Sequence, residues 1–312
     1  LAIDKSPVVL KNKEQVKTAM LMTIREVVYD GTSEQKHYLR CLSNTYMMMF
    51  LLQCDPKLTL YFETLASKLN IYVCTSIIIP ALSEIFLEEK NKRHWNLLVG
   101  AHEAGIKLVV NDTIILELVK HFNMLINKYH NLYEPNEELL ISDEIESLYI
   151  DEILIRAYFY AKKQSRVSSF NDFIYNFLDP SLKSAKDDLV SYLHEVFGID
   201  YVPDEYLDIK IDRDERLHLT EKLKDKKSHA EKAENDAKLI LAIYKLREKY
   251  NETASSGIFG YKTWWLSKDT TTYRAVIEAF GEERYPISCY IRPDFIYNYI
   301  TLRPKRKEVE ET

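Results

Sequence analysis

Residues 71–79 read IYVCTSIII, and this stretch decides the fold class. It is a continuous run of mostly β-branched and aliphatic residues that carries no charge. Such a run is typical of a strand that is buried on both faces, as in a parallel sheet covered by helices. We therefore predict a strand over 71–79 and a helix from Pro80 to about Lys90.

Strands and helices alternate on both sides of a long interruption. Before residue 122, a helix is predicted over 91–104 and a strand over 106–110. After residue 229, a helix is predicted over 230–249, a strand over 262–267, a second helix over 269–280 and a last strand over 287–291. Strands that alternate with helices are typical of a parallel sheet with helices on its faces. The fold class predicted is α/β, a three-layer α/β/α sandwich with a short, mainly parallel sheet.

The remaining segments divide the chain into regions. Residues 1–69 are predicted to form an N-terminal helical segment, and 122–229 read as a large helical insertion without a convincing strand. The α/β core is therefore predicted in two pieces, 70–121 and 230–300, followed by a charged tail over 301–312.

Composition excludes several classes of function. The 312 residues contain only 7 glycines, so no glycine fingerprint for a dinucleotide is present. The formal net charge of −6 gives no global positive field, so any polyanion site must be local. Candidates are the basic runs 162–166, 222–227 and 303–307, which can equally be solvated helix faces and a charged tail.

The cysteines and the apolar stretches predict a compartment. The four cysteines lie far apart without a CxxC pair, which favours reduced thiols and a cytoplasmic protein. The most apolar stretch, 46–53, is too short to cross a bilayer, so no membrane partner is expected.

Three carboxylates are expected to meet at one edge of the sheet. In a parallel sheet, ligands collect beyond the carboxyl ends of the strands. The sequence brings Glu117, Asp236 and Asp269 to this edge. Clustered carboxylates are costly without a cation, and oxygen ligands suit Mg²⁺ or Mn²⁺. The alternative is that each acid is a local helix cap, as Asp269 could be.

Four segments resemble the motifs of PIN-domain nucleases, in the family's order. The segments are IYVCTSIIIPALSE at 71–84, DTIILELVKH at 112–121, ENDAKLILAIYKLR at 234–247 and KTWWLSKDTTTYRAV at 262–276. The resemblance covers about 69–121 and 230–291. It implies a PIN-like fold in which Glu117, Asp236 and Asp269 match the family's second, third and fourth acidic positions and bind Mg²⁺ or Mn²⁺.

One position departs from the family pattern. The family's first aspartate falls on Cys74, and a thiol is a soft ligand that poorly replaces a carboxylate for Mg²⁺. Ser76 matches the family's hydroxyl or amide position and could orient a metal-bound water. Other acids, Asp112 and Glu234, could rebuild the site as auxiliary ligands.

The resemblance implies a metal-dependent endoribonuclease or other nuclease that cleaves phosphodiester bonds, an activity often found in toxin or defence systems. RNA or another single-stranded nucleic acid would be the partner, with Lys262, Lys268 and Arg274 holding its backbone. The alternative is a catalytically degenerate PIN-like binding or scaffold module. Cys74 favours that alternative, as does the helical insertion, which could contact a protein partner or a second copy of the chain.

Overall fold

A computed structural model gives the structure of the chain. It describes residues 68–141, 150–227, 230–253 and 261–302 except Thr270, together with part of 16–43. The chain divides into two compact units, 1–61 and 62–312.

The described part of the first unit contains a helix over 33–41. Its start is a capping box in which the Thr32 amide donates to Gln35 Oε1 (2.9 Å) and the Gln35 amide donates to Thr32 Oγ1 (3.2 Å). Most of the helical segment predicted over 1–69 lies outside the described residues.

The second unit is built on a five-stranded sheet in which every strand pair is parallel. The strands are β1 (Asn70–Val73), β2 (Lys107–Val110), β3 (Ile199–Tyr201), β4 (Thr263–Leu266) and β5 (Tyr290–Ile291). Their order across the sheet is β3-β2-β1-β4-β5. The predicted fold class, α/β with a short parallel sheet, is confirmed.

Eleven α-helices are described in this unit. They are α1 (Thr75–Ser83), α2 (Arg93–Glu103), α3 (Asp112–Lys128), α4 (Glu137–Ile141), α5 (Ile153–Lys163), α6 (Phe170–Ile174), α7 (Ala185–Phe197), α8 (Arg213–Lys224), α9 (Ala230–Lys249), α10 (Thr272–Phe280) and α11 (Pro293–Leu302). None of the helices that the structure describes combines the length and the apolar character needed to cross a membrane.

The strand predicted over 71–79 is wrong in its second half. β1 ends at Val73. The carbonyl of Cys74 accepts hydrogen bonds from the amides of Ile77 (2.9 Å) and Ile78 (3.1 Å), and these bonds form the first turn of α1. Both isoleucines are fully buried. In a continuous run of apolar residues the hydrophobic pattern has no period, so the sequence does not distinguish a buried strand from a buried stretch of helix. Pro80 therefore lies inside α1 and does not begin a helix.

The interpretation of 122–229 as an insertion without strands is also wrong. β3 lies within it and pairs with β2, with Leu108 opposite Ile199. The turn before β3 is made by Gly198, whose φ of 63° lies in the left-handed region. The helices of the segment share the core of the sheet, where the rings of Tyr129 and Phe170 stack with centroids 3.8 Å apart. The segment is thus part of the same folded unit.

Candidate functional site

The order of the strands reverses between β1 and β4. From β1 the chain adds β2 and β3 on one side, and it later adds β4 and β5 on the other. In open parallel sheets the crevice at such a switch point is where ligands bind. At its floor the Cys74 amide donates to the Leu266 carbonyl (3.0 Å), which holds the carboxyl ends of β1 and β4 together.

The three carboxylates predicted for the site come from three elements around this crevice. Glu117 lies on α3 and accepts a hydrogen bond from Thr75 Oγ1 (2.9 Å), at the start of α1. Asp236 lies on α9 and is only 5% exposed. Asp269 follows β4, and its amide donates to the buried Ser267 hydroxyl (3.1 Å).

The charges of the three carboxylates shift the pKa values of their neighbours in the group. Burial raises the pKa of Glu117, and the charge of Asp236 raises it further, while the bond from Thr75 opposes the shift. Burial also raises the pKa of Asp236, and Asp269 adds to this effect while Lys227 opposes it. Asp236 is therefore the middle member of the acidic group. Perturbed acids in a crevice are typical of functional sites, although ion-pair networks perturb pKa values too.

A lysine lies between two of the carboxylates. Lys227 Nζ is 2.6 Å from Asp236 Oδ2 and also contacts Asp269 Oδ2, and its side chain is 8% exposed. Burial acts to lower the pKa of Lys227, but the two carboxylates outweigh burial and raise it, so the ammonium is charged. Contacts with Lys227 and Thr271 hold the pKa of Asp269 below its usual range, although burial acts in the opposite direction.

The metal site expected from sequence is therefore not present as a ready set of ligands. Among the residues that the structure describes, no group of three or more His, Cys, Asp or Glu side chains could hold a metal ion. The donors are hard carboxylate oxygens that suit Mg²⁺ or Mn²⁺. Two of them, however, are engaged by Lys227, so the residues as they stand do not fit a divalent ion.

Cys74 and Ser76 lie at the same edge of the sheet. Burial raises the pKa of the Cys74 thiol, the polar groups of Ser76 oppose the shift, and the charges of Asp236 and Glu117 raise it further. The thiol thus belongs electrostatically to the acidic group. A protonated thiol is a poor metal ligand.

Asp112 takes part in a different network. Its Oδ1 accepts hydrogen bonds from Tyr201 Oη (2.6 Å) and Lys186 Nζ (2.8 Å), and its Oδ2 accepts one from the Asp204 amide (2.8 Å). Asp204 in turn pairs with Lys238 of α9 at 2.8 Å. Both oxygens of Asp112 are engaged, and they tie the end of β2 to the end of β3.

The other predicted residues are distributed around the fold. Glu234 is exposed and pairs with Arg216 at 3.7 Å. Lys268 lies just after β4 and is largely exposed. Partial burial of its ammonium lowers its pKa, and the charge of Arg93 lowers the pKa further. Lys262 precedes β4 and so lies at the opposite end of the strand from Lys268.

The third predicted backbone contact, Arg274, is on α10 with an 82% exposed side chain that pairs with Glu278 at 3.1 Å. Of the three, Lys268 is thus the one that lies just beyond the carboxyl end of a strand, two residues after Leu266 of β4.

The sequence places Thr75 at the end of the first strand, but neither Thr75 nor Lys227 was predicted to have a role in the site. Lys227 lies in the run KLKDKK at 222–227, which reads as a solvated basic face. No signal in that run distinguishes the lysine that folds inward from those that stay in water. Thr75 could have been found, because it lies two residues beyond Val73, where β1 ends.

Comparisons of the chain with protein-family models, with curated proteins and with solved structures find no match.

Proposed function

We propose that the chain is a divalent-metal-dependent nuclease of PIN-like type that cleaves phosphodiester bonds in RNA or another single-stranded nucleic acid. The observation that carries the proposal is the position of Asp236. It is a buried carboxylate beside the switch point of the sheet, its charge raises the pKa of Glu117, and Lys227 joins it to Asp269. A fold rarely keeps three interacting acids together without a cation, and Lys227 supplies one to Asp236 and Asp269 but not to Glu117.

The residues of the chain have distinct roles in this proposal. Glu117, Asp236 and Asp269 would hold the cation in place of the Lys227 ammonium, and Ser76 would orient water from the end of β1. When bound, a divalent ion stabilises charge on a phosphoryl oxygen and lowers the pKa of water. Lys268 and its neighbour Arg93, whose side chain is 67% exposed, contact backbone phosphates beside the acidic group.

The proposal is tested by titrating Mn²⁺ into the protein in a calorimeter and by following cleavage of single-stranded RNA. We expect Asp236→Asn to weaken Mn²⁺ binding at least tenfold and to reduce cleavage about 100-fold, since it removes a charged ligand. The matched control is Glu248→Gln on the same helix, because Glu248 is exposed and pairs with Lys245 at 2.8 Å. This control is expected to bind and cleave within about twofold of the parent.

A parent protein that binds no Mn²⁺ at millimolar concentration would contradict the proposal. That result would instead support the second candidate, a PIN-like binding or scaffold module without catalysis. The specific observation that favours the second candidate is the ammonium of Lys227 between Asp236 and Asp269, together with the thiol of Cys74 in the acidic group.

A further inference from the structure

A half-open cavity of about 130 Å³ lies at the amino ends of β4 and β5. Its lining includes Arg247 in the last turn of α9, Tyr261 just before β4 and Ile287 just before β5. We propose that this cavity binds a small neutral ring that carries a carbonyl oxygen, as a pyrimidine base does. The inference goes beyond the proposed function, because Asp269 and the acidic group lie at the opposite, carboxyl end of β4.

The size of the cavity favours a ligand with a single ring. Protein cavities of roughly 150 Å³ accommodate one benzene ring. With a volume of about 130 Å³, this cavity matches one six-membered ring and is too small to enclose the two fused rings of a purine.

The walls of the cavity are largely aromatic. The rings of Tyr244 and Tyr285 stack with their centroids 4.1 Å apart, and neither residue is more than 5% exposed. The guanidinium carbon of Arg247 lies 4.3 Å from the centroid of the Tyr261 ring. Aromatic side chains pair favourably with other rings in stacked or edge-to-face arrangements. The walls therefore favour a flat ligand over a branched aliphatic one.

The guanidinium of Arg247 has one nitrogen without a hydrogen-bond partner. Its Nε and Nη1 donate to the carbonyls of Thr263 and Ser288, but its buried Nη2 donates to no acceptor among the described residues. Arg247 is only 4% exposed. A buried donor without an acceptor destabilises the folded state, so a ligand with a carbonyl oxygen would satisfy a group that the protein leaves unsatisfied.

The charges of the lining residues favour a neutral ligand. Two arginines, Arg247 and Arg284, line the cavity together with two glutamates, Glu248 and Glu252, so the formal charges cancel. Both glutamates are already bonded. Glu248 pairs with Lys245, and Glu252 accepts hydrogen bonds from two backbone amides and a hydroxyl at the start of β4. A carboxylate or an ammonium in the cavity would meet a like charge at short range.

The experiment titrates uracil into the full chain in a calorimeter. We expect the parent to bind uracil and Arg247→Lys to bind it at least about tenfold more weakly, because lysine keeps the charge but lacks the fixed fork of N–H donors. The matched control is Arg274→Lys, since Arg274 is exposed on α10, and it should bind within about twofold of the parent. Circular dichroism checks that both variants are folded.

A second variant leaves Arg247 and its bonds intact. Ile287 is half-buried and lines the cavity, so Ile287→Phe should fill the space and abolish uracil binding. The matched control is Ile287→Val, which enlarges the cavity slightly and should still bind. If Arg247→Lys does not fold, this pair carries the test.

Further ligands test the size and the charge of the site. We expect adenine and benzoate to bind more weakly than uracil. A folded parent that binds no uracil, or that binds it as tightly after Ile287→Phe, would overturn the proposal. Tighter binding of benzoate would overturn the neutral chemistry of the ligand, and tighter binding of adenine would overturn the single ring.

Competition separates two sources of the same ring. Displacement of uracil by single-stranded oligouridylate would assign the cavity to a base of an RNA strand, and its absence would assign the cavity to a free base. The acidic group takes no part in these measurements, so their failure would leave the nuclease proposal standing.

Discussion

Both carboxylate oxygens of Asp112 accept hydrogen bonds, three in all. The bonds from Lys186 and Tyr201 and from the amide of Asp204 lower its pKa to about 2, from an ordinary value of 3.8, although burial acts in the opposite direction. The network engages both oxygens of Asp112, which was predicted as an auxiliary ligand, in contacts within the protein. Its charge is already used to join β2 and β3.

The shifted pKa of Asp112 predicts a pH dependence of stability. A carboxyl whose pKa is depressed in the folded state stabilises that state above its unfolded pKa, and this contribution is lost as the pH falls through the folded pKa. We expect Asp112→Asn to lower the free energy of unfolding at pH 7 by roughly 1–2 kcal/mol, allowing for partial exposure. The deficit should shrink between about pH 5 and pH 2. Urea denaturation across this range measures it.

The control for this measurement is Asp225→Asn in the exposed turn after α8. It should follow the parent at every pH. A deficit for Asp112→Asn that stayed constant down to pH 2 would show that the shape of the side chain, and not its charge, supports the network.

At the scale of elements, Arg247 joins α9 to the strands on the far side of the sheet. It is 4% exposed, and its guanidinium donates to the carbonyls of Thr263 (2.9 Å) and Ser288 (3.1 Å). It also lies over the rings of Tyr261 (4.3 Å) and Trp264 (4.4 Å). One side chain therefore positions the helix that carries Asp236 relative to β4.

Replacing Arg247 should loosen this connection. We expect Arg247→Met to lower the free energy of unfolding by about 2–4 kcal/mol, because the buried carbonyl of Thr263 and the half-buried carbonyl of Ser288 lose their donor and the cation–π contacts are lost. The comparison variant is Arg274→Met, on an exposed side chain, which should change stability by less than about 0.5 kcal/mol. Equal urea midpoints for the two variants would refute a structural role for Arg247.

The elements also show which features of the sequence carry information. The helix predicted over 230–249 is confirmed at both ends, since its amphipathic pattern runs over more than five turns. β3 could not be predicted because it has three residues, of which only Ile199 is buried. A strand this short has no measurable period, and its pairing partner is about 90 positions away.

The acidic residues of the candidate site could be predicted from the sequence, whereas the lysine between them could not. The positions of Asp236 and Asp269 follow from a topological rule, since polar residues after strands and on the helices beside them meet at one edge of a parallel sheet. The position of Lys227 follows from no such rule. It depends on how the segment after α8 folds back, and the neighbouring lysines have the same local composition.

At the scale of the whole molecule, the segment 122–229 belongs to the sheet unit. We expect replacement of 129–229 by a short linker to abolish cooperative unfolding, because it removes β3 from the edge of β2 and the ring of Phe170 from the core. Thermal denaturation followed by circular dichroism measures this. A chain over 62–312 keeps the whole second unit and should unfold cooperatively. A cooperative transition in the shortened chain would show that 129–229 is a separable module.

The register of β1 against β4 also sets the order of events during synthesis. Asn70 pairs with Thr263, so the two central strands lie 193 positions apart (263 − 70). Ribosomes add about 5–20 residues per second, so roughly 10–40 s pass between the synthesis of these strands. Throughout that interval β1 has an unpaired edge toward the missing β4, and such edges invite aggregation. The nascent chain is therefore expected to depend on chaperones until β4 has emerged.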